Sequence, residues 1–286
     1  MLDRADHHHL TKTAAAPLLP LYVRADGGVR VRFGLAGTRT VRLDVAESGG
    51  YRARFPITYD ETCEAVLINT GGGMTGGDRC ASRIEVEDGA RAIVTTQAAE
   101  KIYRSQGSET LVSTKLDIGA GARLHWLPQE AILFCHANLR RTLEADIAPD
   151  ATLLACESVY FGRFAMGEIL ETAMLHDRWR IRRGGRLIFA EDVKLDGLVN
   201  LALQRPAIAA GARAMATVLM VTPDAALRLD AAREALTSAV SECGTTSLDG
   251  MLIARFLSPD AAALRADLAR FMIHLTDAPL PRSWQT

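Results

Sequence analysis

The sequence predicts a mainly β fold of stacked, β-helix-like coils of strands, with two α-helices near the C-terminus. Three observations carry that prediction: apolar residues alternate with period two from about residue 20 to 200, turns recur roughly every 30 residues, and the last third changes to helical spacing. Val29, Val31 and Phe33 alternate with arginines and a glycine, and Val41, Leu43 and Val45 keep the same rhythm. Val112, Thr114, Leu116 and Ile118 form a third such row. Alternation of this kind puts one face of a strand on a core and the other towards solvent. Turn chemistry punctuates the rows at Asp88-Gly89, Gly119-Ala120-Gly121, Pro149-Asp150 and Gly184-Gly185.

Three of these turns share a pattern. Asp88-Gly89-Ala90, Ala120-Gly121-Ala122 and Pro149-Asp150-Ala151 each open a strand, and each strand ends in a polar stop at Thr95-Thr96-Gln97 with Glu100, at Gln129-Glu130, or at Glu157-Ser158. A loose repeat of this length fits coils that stack on their neighbours. Hairpin proteins also turn at semi-regular intervals, so the repeat alone leaves both arrangements open.

The last third predicts helices. Asp224 to Glu242 carries Leu229, Leu236 and Val240 on helical spacing and meets a stop signal at Cys243-Gly244. Ser258-Pro259-Asp260 reads as an N-cap followed by proline at the first helical position, opening a helix that buries Leu264, Leu268, Phe271 and Leu275. Met251 to Leu257 between them is a strand. Residues 1–20 form a flexible N-terminal tail, and 21–286 a single domain, because no linker separates the helices from the strands.

Bulk composition excludes several classes. Lysine plus arginine (33) and aspartate plus glutamate (34) nearly cancel, so nothing pulls the chain towards nucleic acid or an anionic membrane. Five widely spaced cysteines make no disulfide framework and suit a reducing compartment. No apolar run approaches the roughly 18 residues that span a bilayer. The expectation is a cytoplasmic protein.

The loudest local feature is the glycine-rich stretch from Asn69 to Arg79, which contains G-x-G-x-x-G as Gly71, Gly73 and Gly76. A dinucleotide site needs a helix next, yet Ser82 to Glu87 alternates as a strand, and no lysine-serine or lysine-threonine pair makes a phosphate loop. An extended turn is the better fit. His7, His8 and His9 could take up a transition metal, but a terminal triplet lacks rigid geometry, and the other histidines stand alone. There is no nucleophile elbow. No catalytic residue and no permanently bound cofactor are expected, and the chain is read as a non-enzyme.

What remains is a set of carboxylates. Glu100, Glu130 and Glu157 fall at corresponding positions of the proposed coils, with Asp78 upstream and Glu191 downstream. In stacked coils they would line a wet interior, where spaced oxygen ligands pass a divalent cation without trapping it. Carboxylates at solvent-facing strand ends are equally consistent with the residues alone.

These segments resemble the urease accessory protein UreD (UreH) family. The resemblance is carried by Leu67-Ile68-Asn69-Thr70-Gly71-Gly72-Gly73 running into Gly76-Gly77-Asp78, by Thr95 to Ser105, and by Trp126 to Phe134. Phe161-Gly162-Arg163 with Met166-Gly167-Glu168, Arg182 to Leu187, and Leu280 to Trp284 continue it, so it covers about residues 20 to 284. The resemblance implies a coiled β fold with two helices and a maturation chaperone instead of an enzyme. It implies partners too: UreF, the GTPase UreG through UreF, and apo-urease, together with a dimer of the accessory complex. Ni²⁺ would be in transit through an internal polar channel, with Asp78, Glu100, Glu130, Glu157 and Glu191 as its transient ligands. Arg79, Lys101, Arg104 and Arg163 would fix the loops. The alternative is a β-solenoid protein- or carbohydrate-binding module without a metal role, for which aromatics at 6% are sparse.

Overall fold

Apolar side chains at alternate positions set the strands, and their stacking sets the architecture. The computed structural model describes residues 23–163, 166–276 and 278–285; the expected tail and its histidine triplet lie outside them. The chain begins with an antiparallel pair, β1 (Asp26–Ala36) and β2 (Arg39–Ser48), and β3 (Tyr51–Arg54) pairs antiparallel with β4 (Cys63–Asn69). From β4 the chain coils. Its first turn is completed by β5 (Arg79–Val86), and the second comprises β6 (Arg91–Thr96), β7 (Glu100–Ile102) and β8 (Thr110–Ile118). The third comprises β9 (Arg123–Leu127), β10 (Ala131–Leu133) and β11 (Asn138–Ile147), and the fourth β12 (Thr152–Phe161) and β13 (Ala173–Arg183).

Parallel pairing between coils makes three buried rows. Ala65, Val94, Trp126 and Ala155 stack in one wall, Ile84, Leu116, Ala145 and Ile181 in the other. Met74, Ile102, Leu133 and Phe161 stack at the corner between them. The stacked arrangement, not the hairpin one, is therefore the fold. After β13 the chain reverses into β14 (Arg186–Gly197) through Gly184-Gly185, both at positive φ, as a two-residue hairpin turn requires.

Beyond β14 come a short α1 (Val199–Gln204), β15 (Ala214–Val221), α2 (Leu229–Leu236), β16 (Glu242–Leu248), β17 (Met251–Ser258) and α3 (Ala261–Thr276). β15 pairs antiparallel with β12, and β17 and β16 extend that wall. α3 buries Leu264, Leu268, Phe271 and Leu275 as the spacing predicts, packing with α2 on the outer face of the wall.

Three local expectations need correction. The helix expected from Asp224 to Glu242 is a 3-10 turn at Ala225–Arg228 followed by α2, and Cys243-Gly244 lies inside β16, paired with Phe256 and Arg255. Tertiary contact overrides the local signal there: the buried Asp267 carboxylate of α3 accepts from the backbone of Val240 (3.0 Å) and Ser241 (2.8 Å) and turns the chain into the sheet. The N-cap of α3 is Asp260, whose Oδ1 accepts from Ala262 (2.8 Å), while the Ser258 hydroxyl accepts from Asp260 itself (3.1 Å). On β2, Leu43 is exposed because a β-bulge opposite Arg32 and Phe33 leaves it without a partner and breaks the alternation, so Val45 packs on the core while Leu43 does not.

Candidate functional site: a polar file along the coil axis

Five consecutive wall strands break their inward apolar run at one position. β11 reads Leu139, Arg141, Leu143; β12 reads Ala155, Glu157, Val159; β13 reads Leu175, Asp177, Trp179. β14 places Glu191 between Phe189 and Val193, and β15 places Thr217 between Met215 and Leu219. The apolar residues on either side belong to two different core clusters, so a polar layer runs between them along the axis of the stack. Burying ionised groups is costly unless they are paired, so such a layer has to be justified by its partners or its use.

The layer borders two voids. The larger, about 350 Å³, extends from Tyr51, Asn69 and Glu100 inward to Arg141 and Glu157, with the exposed Gly72 and Lys101 at its mouth. The smaller, about 10 Å³ and roughly the room of one water, is framed by Glu157, Asp177, Trp179, Glu191, Met215 and Thr217. Glu157 belongs to both. From β4 to β15 the voids cross four strand spacings, roughly 19 Å at ~4.8 Å each.

Where the voids meet, Arg141, Glu157 and Asp177 form a buried triad. Arg141 and Asp177 are in register on adjacent parallel strands, so their side chains emerge side by side, and Glu157 faces them from the opposite wall. Arg141 Nε donates to Asp177 Oδ1 at 3.2 Å and Nη2 donates to Oδ2, a bidentate pair. Nε also lies 3.2 Å from Glu157 Oε2, but its hydrogen is directed at Asp177, and Oε2 has no hydrogen-bond partner. Trp126 Nε1 donates to Glu157 Oε1 at 3.1 Å. Burial pushes the Glu157 carboxyl above its ordinary range, and the Arg141 charge opposes that shift.

The two ends differ. At the mouth, Asn69 Nδ2 donates to Glu100 Oε1 at 2.9 Å. Burial raises the Glu100 carboxyl to about 7, against the effect of that hydrogen bond, and the charge of Asp78 adds to the rise. The same crowding pushes the Cys80 thiol up to about 12. The Tyr51 hydroxyl, next to that thiol, is buried without a hydrogen-bond partner of good geometry. At the far end Glu191 Oε1 pairs with Arg255, which also donates to Thr217 Oγ1 at 3.0 Å, while Glu191 Oε2 is buried and unpartnered. Buried orphan acceptors thus sit at the mouth, the waist and the far end of one file.

The structure places Glu100, Glu157 and Glu191 along the voids and sets Asp78 and Glu130 apart from their lining. Asp78 is a loop clamp: Oδ1 accepts from Ala25 N (2.9 Å) and Oδ2 from Thr75 N (2.8 Å), which fixes the glycine turn under the mouth. Glu130 does not hold the position corresponding to Glu100. Glu100 aligns with Ala131 and then with Val159, so Glu130 is one residue out of register. A one-residue slip reverses the face, and Glu130 Oε2 meets Arg265 of α3 at 3.0 Å.

The glycine turn is indeed a turn running into β5. Gly73 has φ +151°, and a Cβ there would lie 2.4 Å from the Tyr103 ring. Arg163 does fix its loop, donating from Nε to Glu168 Oε2 at 2.8 Å and covering the Phe134 ring. Arg141 and Asp177 are not among the sequence-predicted site residues, although each interrupts an apolar alternation. Among the described residues no group of three or more His, Cys, Asp or Glu is arranged to hold a metal ion, and no helix is long and apolar enough to cross a membrane.

Fold and site define a β-helix-like protein with a file of ionisable side chains between two apolar cores. Residues 25–285 match the family model described as UreD urease accessory protein. The chain is 45% identical over 265 residues to the urease accessory protein UreD of Azorhizobium caulinodans, covering 93% of this chain and 98% of that one. It is 47% identical over 276 residues to urease accessory protein UreD 2 of Methylorubrum populi, covering 94% and 93%. The chain belongs to the UreD urease accessory protein family. Membership supports a role in urease maturation, and these relatives are named as accessory proteins.

Proposed function

We propose that this chain is a non-enzymatic urease maturation chaperone that, with UreF and the GTPase UreG, delivers Ni²⁺ to apo-urease through its axial polar file. The observation that carries the proposal is the pair of voids meeting at Glu157, with oxygens of Tyr51, Glu157 and Glu191 beside them that receive no hydrogen bond. A nickel ion entering beside Glu100 exchanges part of its hydration shell for carboxylate oxygen, passes Glu157 and Asp177, and leaves past Glu191. Single carboxylates spaced along the route bind weakly enough to release the ion at each step. Nickel is cargo here, and no resident cofactor is assigned.

Asp78 and Glu130 serve the route indirectly, through the mouth loop and the docking of α3. UreF engages the chain, UreG engages UreF, and apo-urease receives the metal from the assembly in the cytoplasm. The test combines apo-urease, UreF, UreG, nickel, bicarbonate and GTP with and without the chain, and with Asp78→Ala/Glu157→Ala. Chain-dependent nickel uptake and urea hydrolysis that the double variant loses while the complex persists is the expected result. Activation that ignores the chain would return the β-solenoid binding-module reading.

A further inference from the structure

The waist of the file is occupied by a positive charge, which a conduit for cations has no obvious use for. Arg141 borders the larger void, Asp177 the smaller, and Glu157 both, so the triad is the partition between them. Its guanidinium is buried and grips Asp177 with two parallel hydrogen bonds, leaving Glu157 Oε2 within 3.2 Å but without a hydrogen directed at it. Structural pairing alone would need one carboxylate. Here two carboxylates face one guanidinium, and the second, Glu157, lines both voids with an Oε2 that is ion-paired to Arg141 but receives no hydrogen bond.

We propose that Arg141 is a tethered cation gate, which a passing dication must displace from Asp177 and Glu157 and which then displaces the dication in turn. This rests on the nickel-path reading and deepens it. Without a resident cation, two buried carboxylates from opposite walls would form a trap, because opposite charges bind tightly where water is scarce. With Arg141 in place, nickel at Glu157 always has a competitor within reach, so its stay is short. A monovalent ion gains no charge advantage over the guanidinium, whereas a dication does, so the same residue favours dications. Arg141 lines the larger void, so a displaced guanidinium has that cavity beside it.

The test uses the full chain, co-purified with its accessory partners, as wild type, Arg141→Gln, Arg141→Lys and Arg141→Gln/Asp177→Asn. Each is equilibrated with NiCl₂, desalted, and assayed for bound nickel, for Tm with and without Ni²⁺, and for the rate of urease activation. Arg141→Gln should retain about one nickel per chain, bind it at least ~10-fold more tightly than wild type, and activate urease correspondingly slowly. Arg141→Lys, which keeps a resident cation, should release nickel as wild type does. The double variant, with one carboxylate neutralised, should lose the retention. Where Arg141→Gln is unstable because its carboxylates are unpaired, Ni²⁺ should raise its Tm as a ligand of the native state.

Release of nickel by Arg141→Gln at the wild-type level, or a loss of fold that nickel does not reverse, overturns the gate. The companion variant Glu157→Gln separates the two levels of the argument. Blocked activation in Glu157→Gln without retention in Arg141→Gln removes the gate and leaves the path. Wild-type activation in Glu157→Gln removes both.

Discussion

Replacing Arg265 with alanine tests the assignment of Glu130 to docking instead of transport. Arg265 joins three elements: Nη1 donates to Glu130 Oε2 at 3.0 Å, Nη2 donates to the Ser283 carbonyl at 3.0 Å, and the guanidinium covers the Trp284 ring at 4.9 Å. Trp284 is itself buried, and its Nε1 donates to the Leu127 carbonyl at 2.9 Å. Glu130 and Arg265 side chains are 14% and 22% exposed, so water replaces little of what is lost. Leaving Glu130 without its charged donor costs about 1–3 kcal/mol, and the ring contact adds about 0.5–1 kcal/mol. At roughly 1.7 °C per kcal/mol for a chain of 286 residues, Tm should fall by about 3–7 °C. Urea unfolding should show a lower midpoint with an unchanged slope, and urease activation per folded complex should stay near wild type. A stability change within about 0.5 kcal/mol would refute the lock. A tenfold loss of activation in Glu130→Gln at unchanged stability would return Glu130 to the path.

Two further outcomes follow from the mouth. Glu100, raised from 4.5 to about 7, binds its proton more tightly in the folded state than in the unfolded one, so stability should decline as pH rises through that window, by at most about 3 kcal/mol. Glu100→Gln removes this, and its Tm relative to wild type should rise between pH 5 and pH 8; a pH-independent difference contradicts the burial of that carboxyl. At Gly76 a Cβ would lie 2.1 Å from Ser105 Oγ and 2.5 Å from the Ser108 carbonyl. Gly76→Ala should therefore cost about 1–3 kcal/mol in chemical unfolding, and a neutral result would contradict the close packing of Ser105 and Ser108 on Gly76.

Much of the architecture was legible because β-helical stacking repeats its chemistry. The turns at Asp88-Gly89, Gly121 and Asp150 close each coil, and the inward rows from Val29 to Ile118 are alternating in the sequence. The helices were legible in kind but not in extent. Asp267 redirects the chain after α2 through Val240 and Ser241, 27 and 26 residues away, and no local pattern announces that contact. The site was harder. Glu100 and Glu157 share an inward face, yet counting from turn to turn put Glu130 in the same row, because one additional residue separates the β9 and β10 registers from those of β12. Register is fixed by pairing across walls, which one sequence does not display. Arg141 and Asp177 carried a visible signal, a lone charge inside an apolar alternation, but their meeting depends on the parallel pairing of β11 with β13.

The most direct measurement is the initial rate of nickel-dependent urease activation with Glu157→Gln in place of wild type, at matched amounts of assembled complex. The substitution is mild for the fold, since Arg141 keeps its bidentate partner Asp177 and the amide oxygen still accepts from Trp126. The account predicts an intact complex, with nickel uptake and activation slowed at least ~10-fold, equivalent to about 1.4 kcal/mol or more at the waist. Activation at the wild-type rate would contradict the claim that nickel travels through this file.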